Sequence, residues 1–128
     1  MSQITWVQAL AVAAGSAAGG VLRWLAGAML NPLWAGFGLG TLAVNCVGGF
    51  AIGAAIVWFS RTPDEVLRLF VITGVLGGFT TFSSFSAESM SLVQRGEWPL
   101  ALAHTLSHVL GALLCAGIGF RLGRMLLV

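Results

Sequence analysis

Ten consecutive residues, GGFTTFSSFS from Gly77 to Ser86, place five hydroxyl side chains and three phenylalanines behind two adjacent glycines. Hydroxyls donate or accept hydrogen bonds, phenylalanine has a positively polarised ring edge, and backbone loosened by glycine exposes carbonyl oxygens. Carbonyl oxygens would favour a cation, whereas hydroxyl, amide and ring-edge groups would favour an anion. The stretch therefore predicts an ion-handling segment and leaves the sign of the ion open.

Three further polar side chains lie within apolar sequence: Arg23 in GGVLRW, Asn45 in GTLAVN, and Glu88 just after the hydroxyl stretch. A charge inside a membrane is costly unless it faces water, an anion or a partner, so Arg23 either snorkels to the interface or takes part in function. Asn45 needs a hydrogen-bond partner, either between helices or along an ion path. Glu88 is either a proton carrier or a solvated acid near an aqueous vestibule.

His104 and His108 are four residues apart, and Ala112 and Cys115 continue the same helical face. Histidines at this spacing can bind a metal ion, but no third ligand is evident from the sequence. We expect the two histidines to line a cavity or a packing seam instead. Cys46 and Cys115 show no metal-binding spacing and are interpreted as small buried apolar residues.

The elements that must position these residues are membrane helices. The 128 residues are 58% hydrophobic and 8% charged, whereas soluble domains carry about 25% charged residues. A chain of this length has room for roughly four helices of about 20 to 25 residues, the length that crosses a bilayer. We therefore predict a single four-helix transmembrane domain over residues 1–128, with little left for an extramembrane domain.

The predicted segments run from about Ile4 to Leu30, from Leu39 to Phe59, from Pro63 to Gln94, and from Pro99 to the carboxyl end. The first is too long for a signal-peptide core and is interpreted as a retained span. Thr62 is the predicted N-cap of the third segment, with Pro63 at its first helical position. Gly74, Gly77 and Gly78 weaken that segment near its middle, which predicts a broken helix there.

Charge is divided only weakly between the two membrane sides. One side would carry Arg61, Arg68, Arg121 and Arg124, and the other Arg95 and the deeper Arg23. Since this bias is weak, the chain is expected to insert in both orientations. Four helices are too few to enclose a pathway, so we predict a homodimer of two copies in opposite orientations. The scattered arginines form no basic patch and give no indication of nucleic acid binding.

GGFTTFSSFSAE, GGVLRW and GTLAVN, spread over four short spans, resemble the small bacterial fluoride channels of the Fluc/CrcB family. The resemblance implies an antiparallel, dual-topology homodimer in the bacterial inner membrane. It also implies two fluoride-selective pores that export fluoride passively and lower its toxicity in the cytoplasm. Serine and histidine occur without a nucleophile elbow or a metalloprotease motif, so we expect no enzymatic activity.

The same resemblance implies roles for individual residues. The backbone carbonyls of Gly77 and Thr80 from both subunits would hold a structural sodium ion at the dimer centre. The pore residues implied are Phe82, Phe85, Asn45, Ser83, Thr81 and His108, and the vestibule residues are Arg23 and Glu88. The polar track of the fourth span maps onto His104, His108 and Ala112, so its last polar position is missing in this chain.

Two other functions are weighed against the fluoride channel. A proton-coupled small multidrug-type exporter also has four short spans, but that class needs a carboxylate in its first span, where this chain has only Arg23. A non-transporting assembly subunit would be silent in every flux assay. No chain of titratable residues crosses the four segments, which favours passive flow over proton coupling.

Overall fold

The computed structural model describes residues 3–127, and its regular segments are helical. Four helical spans are long and apolar enough to cross a membrane. Numbered 1 to 4 in chain order, they are Trp6–Trp34, Leu39–Arg61, Glu65–Gln94 and Trp98–Leu126. Within residues 3–127 there is no strand. The predicted all-helical membrane fold with four spans is confirmed.

Span 1 consists of helix α1, Trp6–Leu30, and a 3-10 turn, Asn31–Trp34. The helix begins after Thr5, whose Oγ1 accepts a hydrogen bond from the Gln8 N–H at 3.2 Å. The Thr5 N–H donates in turn to Gln8 Oε1 at 3.0 Å. These two hydrogen bonds satisfy the backbone N–H groups of Thr5 and Gln8. Together they stabilise the helix start by about 1 kcal/mol.

Helix α2 runs from Leu39 to Arg61, and its first turn contacts the end of span 1. Asn31 Oδ1 accepts hydrogen bonds from the N–H groups of Gly40 at 2.7 Å and Thr41 at 3.3 Å. These N–H groups belong to the first helical turn and have no partner within the helix. A side chain of span 1 therefore caps span 2 and fixes their relative placement.

The start of span 3 corrects one expectation. Asp64, and not Thr62, is the N-cap, because Asp64 Oδ1 accepts from the Leu67 N–H at 2.9 Å. Thr62 instead ends α2, where both its N–H and its hydroxyl donate to the Trp58 carbonyl at 3.0 and 2.9 Å. Pro63 restricts the residue before it to extended backbone, so the new helix begins only beyond the proline.

Span 3 is assembled from several pieces. Helix α3, Glu65–Arg68, continues as a π-helix, Leu69–Leu76, and a last turn, α4, Gly77–Phe79; helix α5, Phe82–Gln94, follows. Thr80 and Thr81, which lie between α4 and α5, are extended, with ψ angles of 156° and 112°. Two residues of non-helical backbone thus separate the two halves of span 3.

Two pairs of elements pack at very short range. In one pair, a Cβ added to Gly74 of span 3 would lie 2.9 Å from the Gly15 Cα of α1. In the other, α2 packs on α6, Trp98–Leu126, where a Cβ on Gly49 would lie 2.6 Å from the Ala112 carbonyl oxygen. Small residues allow this approach of membrane helices.

Candidate functional site

The non-helical backbone of span 3 is held by one side chain of span 2. Asn45 Oδ1 accepts from the Thr81 N–H at 2.8 Å, and Asn45 Nδ2 donates to the Thr81 carbonyl at 3.1 Å. The carboxamide thus replaces both partners that a continuous helix would supply. Asn45 Nδ2 also lies 3.1 Å from His108 Nδ1, so a third span joins the same network.

Two backbone carbonyls lose their helical donors at this point. In a continuous helix the Thr81 N–H would bond to the Gly77 carbonyl, and the Ser84 N–H to the Thr80 carbonyl. Here Thr81 donates to Asn45, and the Ser84 N–H donates to Thr81 Oγ1 at 3.1 Å. Carbonyl oxygens without a donor are the ligands that hard cations accept. Gly77 and Thr80 therefore have the donor chemistry that a sodium ion requires.

Arg23 bonds to the same segment from span 1. Its Nε donates to the Gly78 carbonyl at 3.0 Å, and the side chain is half-buried. Arg23 also lines a small polar cavity of about 220 Å³, together with Thr41 and Ser84. The guanidinium thus takes part in holding the broken span, in addition to any contact it makes with water.

A cleft of about 520 Å³ opens on the other side of the broken segment. It brings together Gly77, Thr80, Thr81, Phe82, Phe85, Asn45, His108 and Ala112. Apolar residues such as Ile72 and Leu113 complete its walls. The cleft therefore collects most of the residues that the sequence singled out, on one face of the chain.

The phenylalanines of the opening stretch are divided between two helices. Phe79 belongs to α4, whereas Phe82 and Phe85 belong to α5 with ring centroids 5.3 Å apart in an edge arrangement. Phe82 is 77% exposed, and Phe85 is buried against the rings of His104 and His108. Only Phe82 and Phe85 share a helix beside the cleft.

Ser83 is placed differently from its neighbours. It is exposed and does not line the cleft; its Oγ lies 3.3 Å from Thr81 Oγ1. Thr81 in contrast faces the cleft and caps α5. Within the protomer, the structure thus brings Thr81 into the site and leaves Ser83 at its edge.

Glu88, His104 and His108 form a cluster in which one ligand-type atom from each residue lies within 4.8 Å of the others. His104 and His108 are 0% and 4% exposed. His104 Nε2 lies 3.8 Å from Glu88 Oε1. The sequence showed no third ligand beside the histidine pair, because Glu88 lies on a different helix and only the packing of α5 on α6 brings it there.

Several residues that support this cluster were missed by sequence reasoning. Thr41 Oγ1 donates to Glu88 Oε2 at 3.0 Å, and Ser89 Oγ lies 2.7 Å from His104 Nδ1. A Cβ on Gly38 would overlap the Glu88 carboxylate. Thr41 lies in the first turn of α2, and its hydroxyl in an apolar segment is the one signal that could have drawn attention to it.

Comparison with known proteins identifies the family. A protein-family model described as "CrcB-like protein, Camphor Resistance (CrcB)" matches residues 10–120 of the chain. The chain belongs to the CrcB family. The matched range includes Arg23, Asn45, Glu88, His108 and the whole of span 3. The family suggested by the sequence motifs is therefore confirmed.

Curated relatives of this CrcB protein match over most of its length. It is 50% identical over 113 residues to the "Fluoride-specific ion channel FluC" of Aromatoleum aromaticum, covering 87% of this chain and 86% of the relative. Proteins of the same name in Thiobacillus denitrificans and Pseudomonas aeruginosa are 46% and 47% identical, covering 87% and 89% of this chain and 91% of each relative. With its four spans and bacterial relatives, the chain is a multi-pass membrane protein, and these relatives are named as channels and not as enzymes.

Proposed function

We propose that this protein is a fluoride-selective channel that exports fluoride passively across the bacterial inner membrane and lowers fluoride toxicity. The observation that carries the proposal is the cleft that collects Asn45, Phe82, Phe85 and His108 in one place. Its support is the 50% identity to a protein named a fluoride-specific ion channel.

Fluoride suits this set of groups for physical reasons. The ion is small and strongly hydrated, so entry into a narrow path requires donors that replace water at each step. The ring edges of Phe82 and Phe85 are positively polarised, and the Thr81 hydroxyl and the half-buried Asn45 amide lie within the same cleft. Chloride is larger and gains less from short hydrogen bonds, so the same groups discriminate against it.

Passive flow is favoured by the placement of titratable groups. Within residues 3–127, Glu88, His104 and His108 lie in one cluster with ligand-type atoms within 4.8 Å, and not as a chain across the membrane. Proton-coupled transporters rely on carboxylates or histidines along the substrate path. The charged residue within span 1 is Arg23, and this span contains no carboxylate. A multidrug-type exporter is therefore the weaker alternative.

The functional unit we propose is an antiparallel, dual-topology homodimer with two pores. Phe82 is 77% exposed on a single chain, and the cleft beside it is open. A second copy in the opposite orientation would cover this face and complete a path along Phe82 and Phe85. Ser83, which is exposed on the protomer, would then lie near the completed path, with Arg23 and Glu88 at its vestibules.

We further propose that a sodium ion is bound at the dimer centre. The Gly77 and Thr80 carbonyls lack the N–H donors of Thr81 and Ser84 that a continuous helix would supply, and both residues line the open cleft. Two carbonyls from each of two copies would give an all-oxygen ligand set, which suits a hard cation. The ion would stabilise the crossing of the two broken spans.

The test is fluoride efflux from liposomes that contain the purified protein, recorded with a fluoride electrode under a potassium counter-flux. We expect fluoride efflux with little chloride efflux, and its loss in the Phe82→Ile, Phe85→Ile double variant. Ser107→Ala is the matched control, because the Ser107 hydroxyl bonds only to the Ala103 carbonyl of its own helix. Full flux in the double variant, or no flux from the unmodified protein, would contradict the proposal. Uptake of a cationic dye driven by a pH gradient would support the exporter instead.

A further inference from the structure

We propose that Glu88, His104 and His108 form a binding site for a divalent transition-metal ion such as zinc. The cluster combines two imidazoles with one carboxylate, a ligand set that zinc accepts in three-ligand sites. The two histidines lie one helical turn apart on α6, and the carboxylate is supplied by α5. One ligand-type atom from each residue lies within 4.8 Å of the others.

The atoms that face one another have no other partner. Among the buried side-chain nitrogen and oxygen atoms of residues 3–127, those without a hydrogen bond are Glu88 Oε1, His104 Nε2 and His108 Nε2. Buried polar atoms normally have a partner, since a missing one leaves the cost of desolvation uncompensated. That all of these atoms belong to a single cluster indicates a common ligand.

The opposite ends of the three side chains are anchored. Glu88 Oε2 accepts from Thr41 Oγ1, His104 Nδ1 contacts Ser89 Oγ at 2.7 Å, and His108 Nδ1 contacts Asn45 Nδ2 at 3.1 Å. The contacts of Glu88 and His104 are of the kind that orients metal ligands in zinc proteins. The Asn45 amide is instead a donor to His108, and this bond would have to break for His108 Nε2 to bind a metal ion. Ligands on bonds of about 2.0–2.1 Å lie roughly 3.4 Å apart in a tetrahedral site. His104 Nε2 and Glu88 Oε1, which are 3.8 Å apart, would have to approach by about 0.4 Å, and no pair in the cluster would have to approach by more than about 1.4 Å.

Hydrogen bonding around His104 leaves its Nε2 available for a metal ion. The Thr105 hydroxyl donates its one hydrogen to the Ala101 carbonyl at 2.9 Å, so at the 3.3 Å contact it can only accept from Ser89. When Ser89 donates to Thr105, it can accept at the 2.7 Å contact from an Nδ1–H of His104. In that tautomer the Nε2 lone pair is free to bind a metal ion, and Nε2 lies 3.8 Å from Glu88 Oε1.

His108 couples the metal site to the broken span. Asn45 is oriented by its two bonds to Thr81, and in that orientation its Nδ2 donates to His108 Nδ1. A metal ion on Nε2 requires the proton on Nδ1, which then needs an oxygen acceptor. An aspartate at position 45 offers that acceptor and keeps the bond from the Thr81 N–H, although it loses the bond to the Thr81 carbonyl. We therefore expect Asn45→Asp to bind the metal ion more tightly than the unmodified chain.

The experiment uses the full chain in detergent, free of affinity tags and stripped with chelator, titrated with zinc by calorimetry. We expect one zinc ion per chain, an affinity at least about tenfold lower in His104→Gln, in His108→Gln and in Glu88→Gln, and an affinity about tenfold higher in Asn45→Asp. The Cys46→Ser, Cys115→Ser double variant is the control and should bind as the unmodified chain does. Absence of binding, unchanged binding in the histidine variants, or loss of binding in the cysteine control would each overturn the proposal.

A measurement on the unmodified chain covers the case in which a variant fails to fold. Zinc-edge X-ray absorption should show two imidazole ligands and nearest neighbours at about 2.0–2.1 Å, with no sulfur at about 2.3 Å. A sulfur shell, or fewer than two imidazoles, would refute the site. If the fluoride-channel proposal also holds, zinc should slow fluoride efflux in the unmodified protein and not in His104→Gln. Because zinc binding is measured directly, the metal-site proposal is tested independently of fluoride flux.

Discussion

Asn45 and Thr81 are bonded twice, from carboxamide oxygen to backbone N–H at 2.8 Å and from carboxamide nitrogen to backbone carbonyl at 3.1 Å. Thirty-six residues separate them in the chain. One side chain of span 2 therefore determines the backbone of span 3 at the point where its helix is interrupted.

Replacing Asn45 by leucine should remove this control. The Thr81 N–H and carbonyl would lose their partner in a half-buried position, at a cost of about 1–3 kcal/mol for each unsatisfied group. We expect a less stable protein and fluoride flux reduced by roughly tenfold or more. Liposome flux and thermal unfolding in detergent measure the two effects. Thr62→Val is the control, because Thr62 bonds only within the end of α2; equal flux in Asn45→Leu and the control would contradict the assignment.

Gly38→Ala should destabilise the fold at the Glu88 carboxylate. Gly38 has a φ of +72°, which costs a residue with a Cβ about 1–2 kcal/mol, and the added methyl would overlap Glu88. Gly117→Ala is the matched control, since a Cβ there meets nothing within 4 Å in the interior of α6 and should stabilise by up to about 1 kcal/mol. Unfolding temperatures of the two variants should move in opposite directions. A Gly38→Ala protein as stable as the unmodified chain would show that Glu88 is not held against α2.

Sodium removal should weaken the proposed dimer. If the Gly77 and Thr80 carbonyls bind the ion, purification with a large organic cation in place of sodium should lower both the dimer fraction and the flux, and added sodium should restore them. Thr80→Ala should keep the sodium dependence, because its carbonyl remains while its side chain, which donates to the Leu76 carbonyl at 2.8 Å, is lost. Identical dimer fractions with and without sodium would refute the ion site.

Dual topology predicts equal labelling from both membrane sides. In a Cys46→Ser, Cys115→Ser background, a cysteine replacing exposed Glu97, between spans 3 and 4, should react with an impermeant thiol reagent in roughly half of the molecules. A cysteine replacing Thr62, on the opposite side, should give the same fraction. Complete labelling at one position and none at the other would establish a single orientation and exclude the antiparallel dimer.

Much of the fold follows from local sequence. Four apolar segments predict four spans, because helices satisfy their own backbone groups in lipid. Gly77 and Gly78 indicate the stretch that contains the extended residues Thr80 and Thr81. The N-cap of span 3 was assigned to Thr62 because sequence alone does not show where the proline ends one helix, and Asp64 takes that role.

The site could be predicted only in part, because its contacts join distant residues. The polar character of Asn45 and Glu88 was evident, but their partners Thr81 and Thr41 lie on other helices, 36 and 47 residues away. The approach of Glu88 to the histidine pair depends on how α5 packs on α6, and no periodicity within either segment encodes that distance. The spacing of glycines and phenylalanines likewise does not predict the π-helix of Leu69–Leu76.

The close packing of α1 has a consequence beyond its own stability. A Cβ on Gly19 would lie 2.8 Å from the Phe79 backbone nitrogen, immediately before the extended residues. Close packing against α1 thus constrains the backbone position of α4. Enlarging Gly19 would therefore shift the backbone just before Thr80, so the positions of the Gly77 and Thr80 carbonyls depend on a helix that does not line the cleft.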